Sequence, residues 1–486
     1  MKPISKEIFY IFSVSIIFAS LLLLARMSIY SPSENNSLGW WGWFDQSQYL
    51  KQMIIISSEG LKNSMSNSFY PPGYMIVPAI IYKMANFFSP ESVLFTYNIL
   101  LNSISLALLS GCLEGKKKWI FLVIVLTLVW NIELLATTLF IPWSSSISLF
   151  TASICVWSLC SFKENNLSIK RRLLLIISLS FAFSIQLHTR PQDFAILSAA
   201  LVISFFIQRK NTIKNDFVTL LLPTISLFVC CESLWYLNAG SFSLGGSLYD
   251  KPVHSFVFSG IYYKLSSMLI GGDSWGYLPS SIFSNSPVLY FVIVITLIYA
   301  FISKNVFAIF MSFLWMLIYG AFSDLGLHNF VRFLLLHYYK FVFFVLIYLF
   351  LKDFNWNKLL YTSICSCILA YLLPFGGEYS QFGSSYKTDE GYLFKFDNGI
   401  NVNPGDIYFI SSILENNIQE TLFNVPHLKV NGDYILPMKD YRVFQGDNGV
   451  YIHFFKEFGT VYDIELDSEL YQDNVVFETN FFQLIY

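Results

Sequence analysis

Long runs of apolar residues separated by short polar connectors fill the chain from Ile8 to Pro374, and beyond Pro374 these runs stop. A spanning helix needs about 20 mostly apolar residues. On that measure the pattern predicts spans at roughly 8–29, 93–113, 119–140, 143–162, 172–188, 193–208, 216–237, 287–303, 305–322, 333–351 and 358–374. After Pro374 the pattern turns to alternation, as in GDIYFI and GVYIHFF, with turn signals at DNG (Asp397 to Gly399) and NGD (Asn431 to Asp433). The expected architecture is mainly α: a polytopic membrane domain over residues 1–374, with about eleven spans, followed by a small α/β or β domain over 375–486.

Charge orients this array. The short connectors Lys116-Lys117-Lys118, Lys163 with Lys170-Arg171-Arg172, Arg209-Lys210 with Lys214, Lys304, and Lys352 with Lys358 all fall on the side of Lys2 and Lys6. An excess of Lys and Arg marks the cytoplasmic side, so the N-terminus is placed there. Counting residues 72–88 as a span would send Lys116 to Lys118 outside, so that stretch is read as a helix lying in the outer interface. An odd number of spans then sends the tail outside, with the loops 30–92 and 238–286, and the chemistry is expected on that face. The run from Ile8 to Leu24 is read as an uncleaved span, because Arg26 follows it and no small-residue cleavage site does.

Composition narrows the function. Of 486 residues 55% are hydrophobic and 13% charged, and residues 375–486 carry 6 Lys and Arg against 17 Asp and Glu. An acidic outer domain repels polyphosphates and no basic patch exists for nucleic acid, so a neutral or weakly charged acceptor suits it. The seven cysteines lie in or near apolar runs, where thiols act as small hydrophobes, so neither a disulfide framework nor a zinc site is expected. GxxxxGK[ST], HExxH and CxxC patterns are all lacking.

Three stretches carry candidate chemistry. In FDQSQYL, Asp45 and Tyr49 follow Trp40, Trp41 and Trp43. Alone, Asp45 reads as a solvated loop carboxylate beside headgroup-anchoring tryptophans, although a carboxylate held there can take a proton from an attacking hydroxyl. Tyr70, Pro71 and Pro72 come about two dozen residues later. In LHTRPQDF, Arg190 lies at the outer end of a span, where the positive-inside tendency disfavours it, and guanidinium pairs bidentately with phosphate. His188 is its neighbour. In LGLHNFVRFLLLHYYKF, Arg332, His337 and Lys340 recur at helical spacing below Asp324 and His328. Arg332 is a second phosphate candidate, whereas Lys340 reads as a membrane anchor. Glu133 and Glu232, near outer span ends, are candidate partners for Arg190 or Arg332, or acceptor ligands. The loop segments DKPVHSF and GGDSWGY suit sugar stacking and are equally ordinary for an exposed loop.

An acid in the first outer loop, an aromatic residue before Pro-Pro, an amphipathic helix and a later TRP that opens a new span resemble the polytopic GT-C glycosyltransferases. Phe333 stands where the late-span motif of that family has a Tyr. The resemblance implies transfer of one sugar from a polyprenyl-phosphate carrier, with inversion, on the outer face of a bacterial inner membrane. It implies Asp45 as catalytic base or acceptor-binding acid, Tyr70-Pro71-Pro72 on the lipid-donor side, and Arg190 and Arg332 on the donor phosphate. Span number and outer tail look like the phage-encoded glucosyltransferases that alter O-antigen and convert serotype, with undecaprenyl phosphate-glucose as donor and lipopolysaccharide O-antigen as acceptor. A flippase and a carrier-loading glycosyltransferase are the implied pathway partners. No cofactor is required by the sequence; some GT-C enzymes use a divalent metal, but no ligand cluster here demands one.

Two other readings share the membrane setting. An O-antigen polymerase or ligase also sets outer-face Arg residues near a polyprenyl carrier, but its principal loop lies between later spans. A lipid-linked sugar flippase or transporter is favoured by charges through mid-membrane positions, whereas here they cluster at the outer boundary.

Overall fold

The computed structural model describes residues 4–29, 44–66, 70–85, 87–131, 138–162, 168–208, 217–240, 287–321, 331–355, 357–360 and 362, and, further on, 384–387, 391–402, 407–411, 428–435, 440–446, 449–454, 457–467 and 482–485. They fall into two compact units. One comprises Met1–Leu248, Ile293–Trp315 and Leu336–Ser366, the other Tyr249–Val292, Met316–Leu335 and Cys367–Tyr486.

The helices are α1 (Ile4–Ile29), α2 (Phe44–Glu59), α3 (Leu61–Ser66), α4 (Gly73–Met84), α5 (Pro90–Gly111), α6 (Lys117–Asn131), α7 (Ser145–Phe162), α8 (Ile169–Leu187), α9 (Pro191–Gln208), α10 (Leu222–Ala239), α11 (Pro287–Ile302), α12 (Val306–Ala321) and α13 (Val331–Lys352). A helix therefore lies in each of the first ten expected spans, while nearly all of 358–374 lies outside the described residues. Lys6–Leu24, Pro90–Gly111 and Thr219–Ala239 are long and apolar enough to cross a membrane; Ser145–Ser161, Pro191–Ile207, Val292–Ile302 and Val306–Tyr319 are apolar but shorter.

Small side chains decide the centre of the first unit. Between Ser145 and Ser161, α7 is buried on nearly all sides and carries Ser145, Ser146, Ser148, Thr151, Ala152, Ser153, Ser158 and Ser161. In an apolar solvent helices associate through close packing and interhelical hydrogen bonds, and small polar residues provide both. Accordingly α5, α8 and α9 all pack on α7, and α10 packs on α8.

Hydrogen bonds tie Arg171, Lys117 and Lys358 of the basic connectors to neighbouring helix ends of this unit. Arg171 at the start of α8 meets Glu7 of α1 at 3.4 Å, and Trp157 near the end of α7 donates to the same Glu7 at 2.8 Å. Lys117 at the start of α6 donates to the Lys352 carbonyl at the end of α13 at 2.7 Å, and Lys358 to Ser303 after α11 at 3.4 Å.

The region expected as a loop between the first two spans is largely helical where described. Gln46, Tyr49 and Met53 recur at helical spacing and form the buried face of α2, which packs on α4 and α5. Asp45 thus lies in the first turn of a helix rather than in a loop. Helix α4 buries Gly73, Tyr74, Met75, Pro78 and Ala79, and its opposite face exposes Ile80, Ile81 and Met84.

Among the described residues of the second unit nine strands form two antiparallel sheets. They are β1 (Ser384–Lys387), β2 (Gly391–Val402), β3 (Ile407–Ser411), β4 (Leu428–Val430), β5 (Asp433–Ile435), β6 (Tyr441–Gly446), β7 (Gly449–Phe454), β8 (Gly459–Asp467) and β9 (Phe482–Ile485), in the orders β1-β2-β8-β4-β5 and β6-β7-β3-β9. The two most clearly alternating segments pair with each other as β3 and β7, with Ile407 opposite His453 and Ile410 opposite Val450. Asn431 and Gly432, at φ 51° and 82°, make the two-residue hairpin turn from β4 to β5 that Asn-Gly favours. The other turn signal behaves differently. Asp397 to Gly399 lies inside β2 as a bulge, where five residue steps from Lys395 to Ile400 face two from Asp463 to Val461 on β8.

Candidate functional site

The site is built around the turn between α8 and α9. Pro191 has no N–H and disfavours helical geometry at Arg190, so α8 stops and α9 restarts with proline at its first position. His188 and Thr189 form the turn, and the Arg190 carbonyl accepts the first α9 hydrogen bond, from the Phe194 N–H at 3.0 Å. The chain direction that results turns the Arg190 side chain inward, where it is 4% exposed.

A buried guanidinium needs a counter-charge. Asp193, in the first turn of α9 and 0% exposed, accepts from Arg190 Nε at 2.6 Å and from Ser148 Oγ at 2.6 Å. The helix N-terminus favours its negative charge as well. Gln186 ties this turn to α7, donating to Ser148 Oγ at 3.1 Å and to the Arg190 carbonyl at 3.2 Å. The Tyr338 ring of α13 lies under the guanidinium, 4.4 Å from ring centre to Cζ.

The segment 138–144, which leads into α7, lies opposite that turn. Asn98 of α5 holds it: Nδ2 donates to the carbonyls of Leu139, Phe140 and Ile141 at 3.0, 3.2 and 3.1 Å, and Oδ1 accepts from Ser146 Oγ at 2.7 Å and Tyr74 OH at 3.0 Å. Ser144 of this segment accepts from Arg190 Nη1 at 3.4 Å and from Tyr49 OH at 3.1 Å. Lys340, 0% exposed, donates to Ser146 Oγ at 2.8 Å and to the Thr138 carbonyl at 3.0 Å. The anchoring role expected of Lys340 is therefore corrected, since its ammonium is turned into the protein instead of reaching for headgroups.

The Tyr-Pro-Pro stretch closes another side. Tyr49 packs on Tyr70 and Tyr74 at 5.2 and 5.4 Å between ring centres, and Gln52 donates to the Tyr70 carbonyl at 3.0 Å. Pro71 and Pro72 are buried, and the Gly73 N–H donates to the His188 carbonyl at 2.7 Å. Glycine is needed there, because a Cβ would sit 2.5 Å from Thr189 Oγ1 and 2.6 Å from the His188 oxygen. Gln46, next to Asp45, donates to the Pro142 carbonyl at 3.1 Å, while its Oε1 is buried with no partner among the described residues.

Glu232 of α10 was a candidate partner for Arg190 or Arg332. Its described partners are His188, whose Nε2 lies 2.6 Å from its Oε2, and Ser184, whose Oγ donates to its Oε1 at 2.7 Å.

Thus Tyr49, Tyr70, Pro71, Pro72, His188, Arg190 and Glu232 are brought together by α2, α4, α8, α9 and α10. Asp45 lies on the first turn of α2 and Arg332 and His337 on the first two turns of α13, with side chains outside the described residues; Glu133 and His328 lie wholly outside them. Sequence reasoning missed Asp193, Ser144, Asn98 and Gln186. Asp193 had a legible signal, an acid three residues after an out-of-place arginine, whereas the others are ordinary polar residues of apolar helices. Among the described residues no group of three His, Cys, Asp or Glu side chains could hold a metal ion.

No protein-family model and no curated protein sequence matches this chain. Among solved structures it is similar to ArnT from Cupriavidus metallidurans, crystallised bound to undecaprenyl phosphate, with a TM-score of 0.41 and 11% identity over 75% of this chain. The match spans 63% of the ArnT chain, less than two thirds of its length.

Proposed function

We propose that this protein is a GT-C-type glycosyltransferase that moves one sugar from a polyprenyl phosphate to an acceptor hydroxyl at the outer membrane face. The observation that carries the reading is the buried meeting of Arg190, Lys340 and Tyr49 on Ser144 and Ser146 at the start of α7, with the Asp193 carboxylate bonded to the arginine. Among the described residues an arginine and a lysine stand beside one carboxylate, an arrangement that suits an anion, and a phosphodiester on a lipid carrier is an anion bound to the membrane. The resemblance of the first-loop and TRP segments to GT-C enzymes supplies the reaction class.

In this reading Arg190 and Lys340, with Arg332 as the expected third cation, hold the donor phosphate. They stabilise the charge left on it as the glycosidic bond breaks. Asp45, one residue from the anchored Gln46, takes the proton of the acceptor hydroxyl as that oxygen attacks the anomeric carbon in line, inverting it. Glucose as the sugar, O-antigen as the acceptor and serotype conversion as the outcome are the specific form of the proposal, with a flippase and a carrier-loading enzyme upstream and an outward-facing C-terminal domain.

The test is sugar transfer by purified protein from undecaprenyl phosphate-glucose to O-antigen polysaccharide, followed by mass spectrometry for wild type and Asp45→Asn. Transfer in wild type that drops by orders of magnitude in a folded Asp45→Asn supports enzyme and base together. Undiminished transfer removes Asp45 from the role of base, and no transfer from any carrier-linked monosaccharide moves the weight to the polymerase or flippase.

A further inference from the structure

Beside the cationic turn stands a second polar arrangement. His188 is 1% exposed, and its ring is stacked on Trp235 of α10 at 3.6 Å between centres and 6° between planes. Its Nε2 faces Glu232 at 2.6 Å, and Ser184 holds the other carboxylate oxygen at 2.7 Å. The carboxylate therefore fixes the imidazole in place, with an N–H on Nε2. That leaves Nδ1, which is buried and has no hydrogen-bond partner among the described residues; the Nε1 of Trp235 is in the same condition. Buried polar atoms are nearly always satisfied, so two of them on a pair of stacked rings mark a place suited to a polar group from outside the chain.

Chemistry narrows the missing group. An anion is disfavoured by the adjacent Glu232 carboxylate, and a cation by the indole N–H, which only donates. A hydroxyl both donates and accepts. It satisfies Nδ1 whether or not that nitrogen carries a proton, and an oxygen of the same ligand can take the indole N–H. His188 precedes Arg190 by two residues on the same turn.

We infer that His188 and Trp235, with Glu232 as the residue that positions the imidazole, form a hydroxyl-recognition subsite for a sugar. This deepens the glycosyltransferase reading and rests on it. The hydroxyl belongs either to the donor sugar or to the acceptor glycan, and the two are separable by measurement.

The experiment uses full-length protein in nanodiscs. The first arm compares affinity for undecaprenyl phosphate-glucose with affinity for bare undecaprenyl phosphate, and the second follows the acceptor KM and kcat during transfer to O-antigen polysaccharide. For a donor hydroxyl, the affinity ratio conferred by glucose falls about 5- to 10-fold in His188→Leu, the worth of about one hydrogen bond. It falls less in Glu232→Gln, and recovers in part in His188→Asn, whose amide can stand in for Nδ1. For an acceptor hydroxyl, the acceptor KM shows that order of effects while kcat holds. If a folded His188→Leu leaves both ratio and KM at wild-type values, water fills the space and the subsite is overturned. If wild type binds neither lipid and transfers nothing, the glycosyltransferase reading falls and takes the subsite with it.

Discussion

Tyr49 and Arg190 meet on one hydroxyl: Ser144 Oγ accepts from the Tyr49 phenol at 3.1 Å and from Arg190 Nη1 at 3.4 Å. Through that atom the helix bearing Asp45 and the turn bearing the candidate phosphate ligand share a reference point. Ser144→Ala takes a buried acceptor from both donors. It is expected to lower stability by about 1–3 kcal/mol and to slow sugar transfer beyond what that loss explains. Thermal unfolding in detergent, run beside the transfer assay, reads both; a variant slowed only in proportion to its unfolded fraction would remove Ser144 from the site.

Arg190→Lys keeps a positive charge but loses the planar fork that reaches Asp193 and Ser144 and the face that lies on Tyr338. Affinity for undecaprenyl phosphate is expected to fall about 10- to 100-fold, in line with losing one charge-assisted hydrogen bond. Equal affinity in the two proteins would mean that any cation serves, or that the phosphate binds elsewhere.

Asp193 carries a different prediction, because its role is to neutralise. In Asp193→Asn the buried guanidinium loses its bonded counter-charge, and stability is expected to drop by about 3–5 kcal/mol. Removing the charge on both sides, as in Arg190→Met with Asp193→Asn, costs less than the two single effects added together. A double-mutant cycle by chemical denaturation checks this, and strictly additive losses would show that the pair is not coupled.

Gly73→Ala drives a Cβ to 2.5 Å from Thr189 Oγ1 and 2.6 Å from the His188 carbonyl oxygen, which belongs to rigid backbone. Overpacking of this kind costs about 1–3 kcal/mol, and α4 must move off the α8–α9 turn. Transfer is expected to fall along with the melting temperature. A neutral Gly73→Ala on both counts would mean that the Pro-Pro-Gly contact is looser than the geometry states.

What was readable in the sequence was whatever is locally anomalous. Arg190 stood out because a cation at an expected outer span end runs against the charge rule, and Pro-Pro because it directly precedes the expected interfacial helix. Lys340 was misread: one lysine in an apolar run looks the same whether it reaches for headgroups or turns inward to Ser146, and only the neighbouring helices tell these apart. Asp45 was read in a loop because tryptophans and glycine dominate the residues before it, whereas the helical spacing of Gln46, Tyr49 and Met53 emerges only once one face has something to pack on. The DNG of β2 was read as a turn for a similar reason. Its left-handed glycine serves a bulge as well as a hairpin, and the facing strand β8 decides between them.

The sequence by itself determined where the apolar helices lie, that a strand-rich acidic region follows them, and which charges are out of place, because hydropathy, periodicity and charge are properties of a few neighbouring residues. The tertiary structure alone decided who pairs with whom: Asp193 with Arg190, Glu232 with His188, Asn98 with the carbonyls of residues 139–141, and Tyr49 with Ser144. Except for Arg190 and Asp193, those partners are 41 to 95 positions apart. Their meeting depends on which helices adjoin and how each is turned about its axis, and in an apolar surrounding that is set by the small and polar residues through which helices pack.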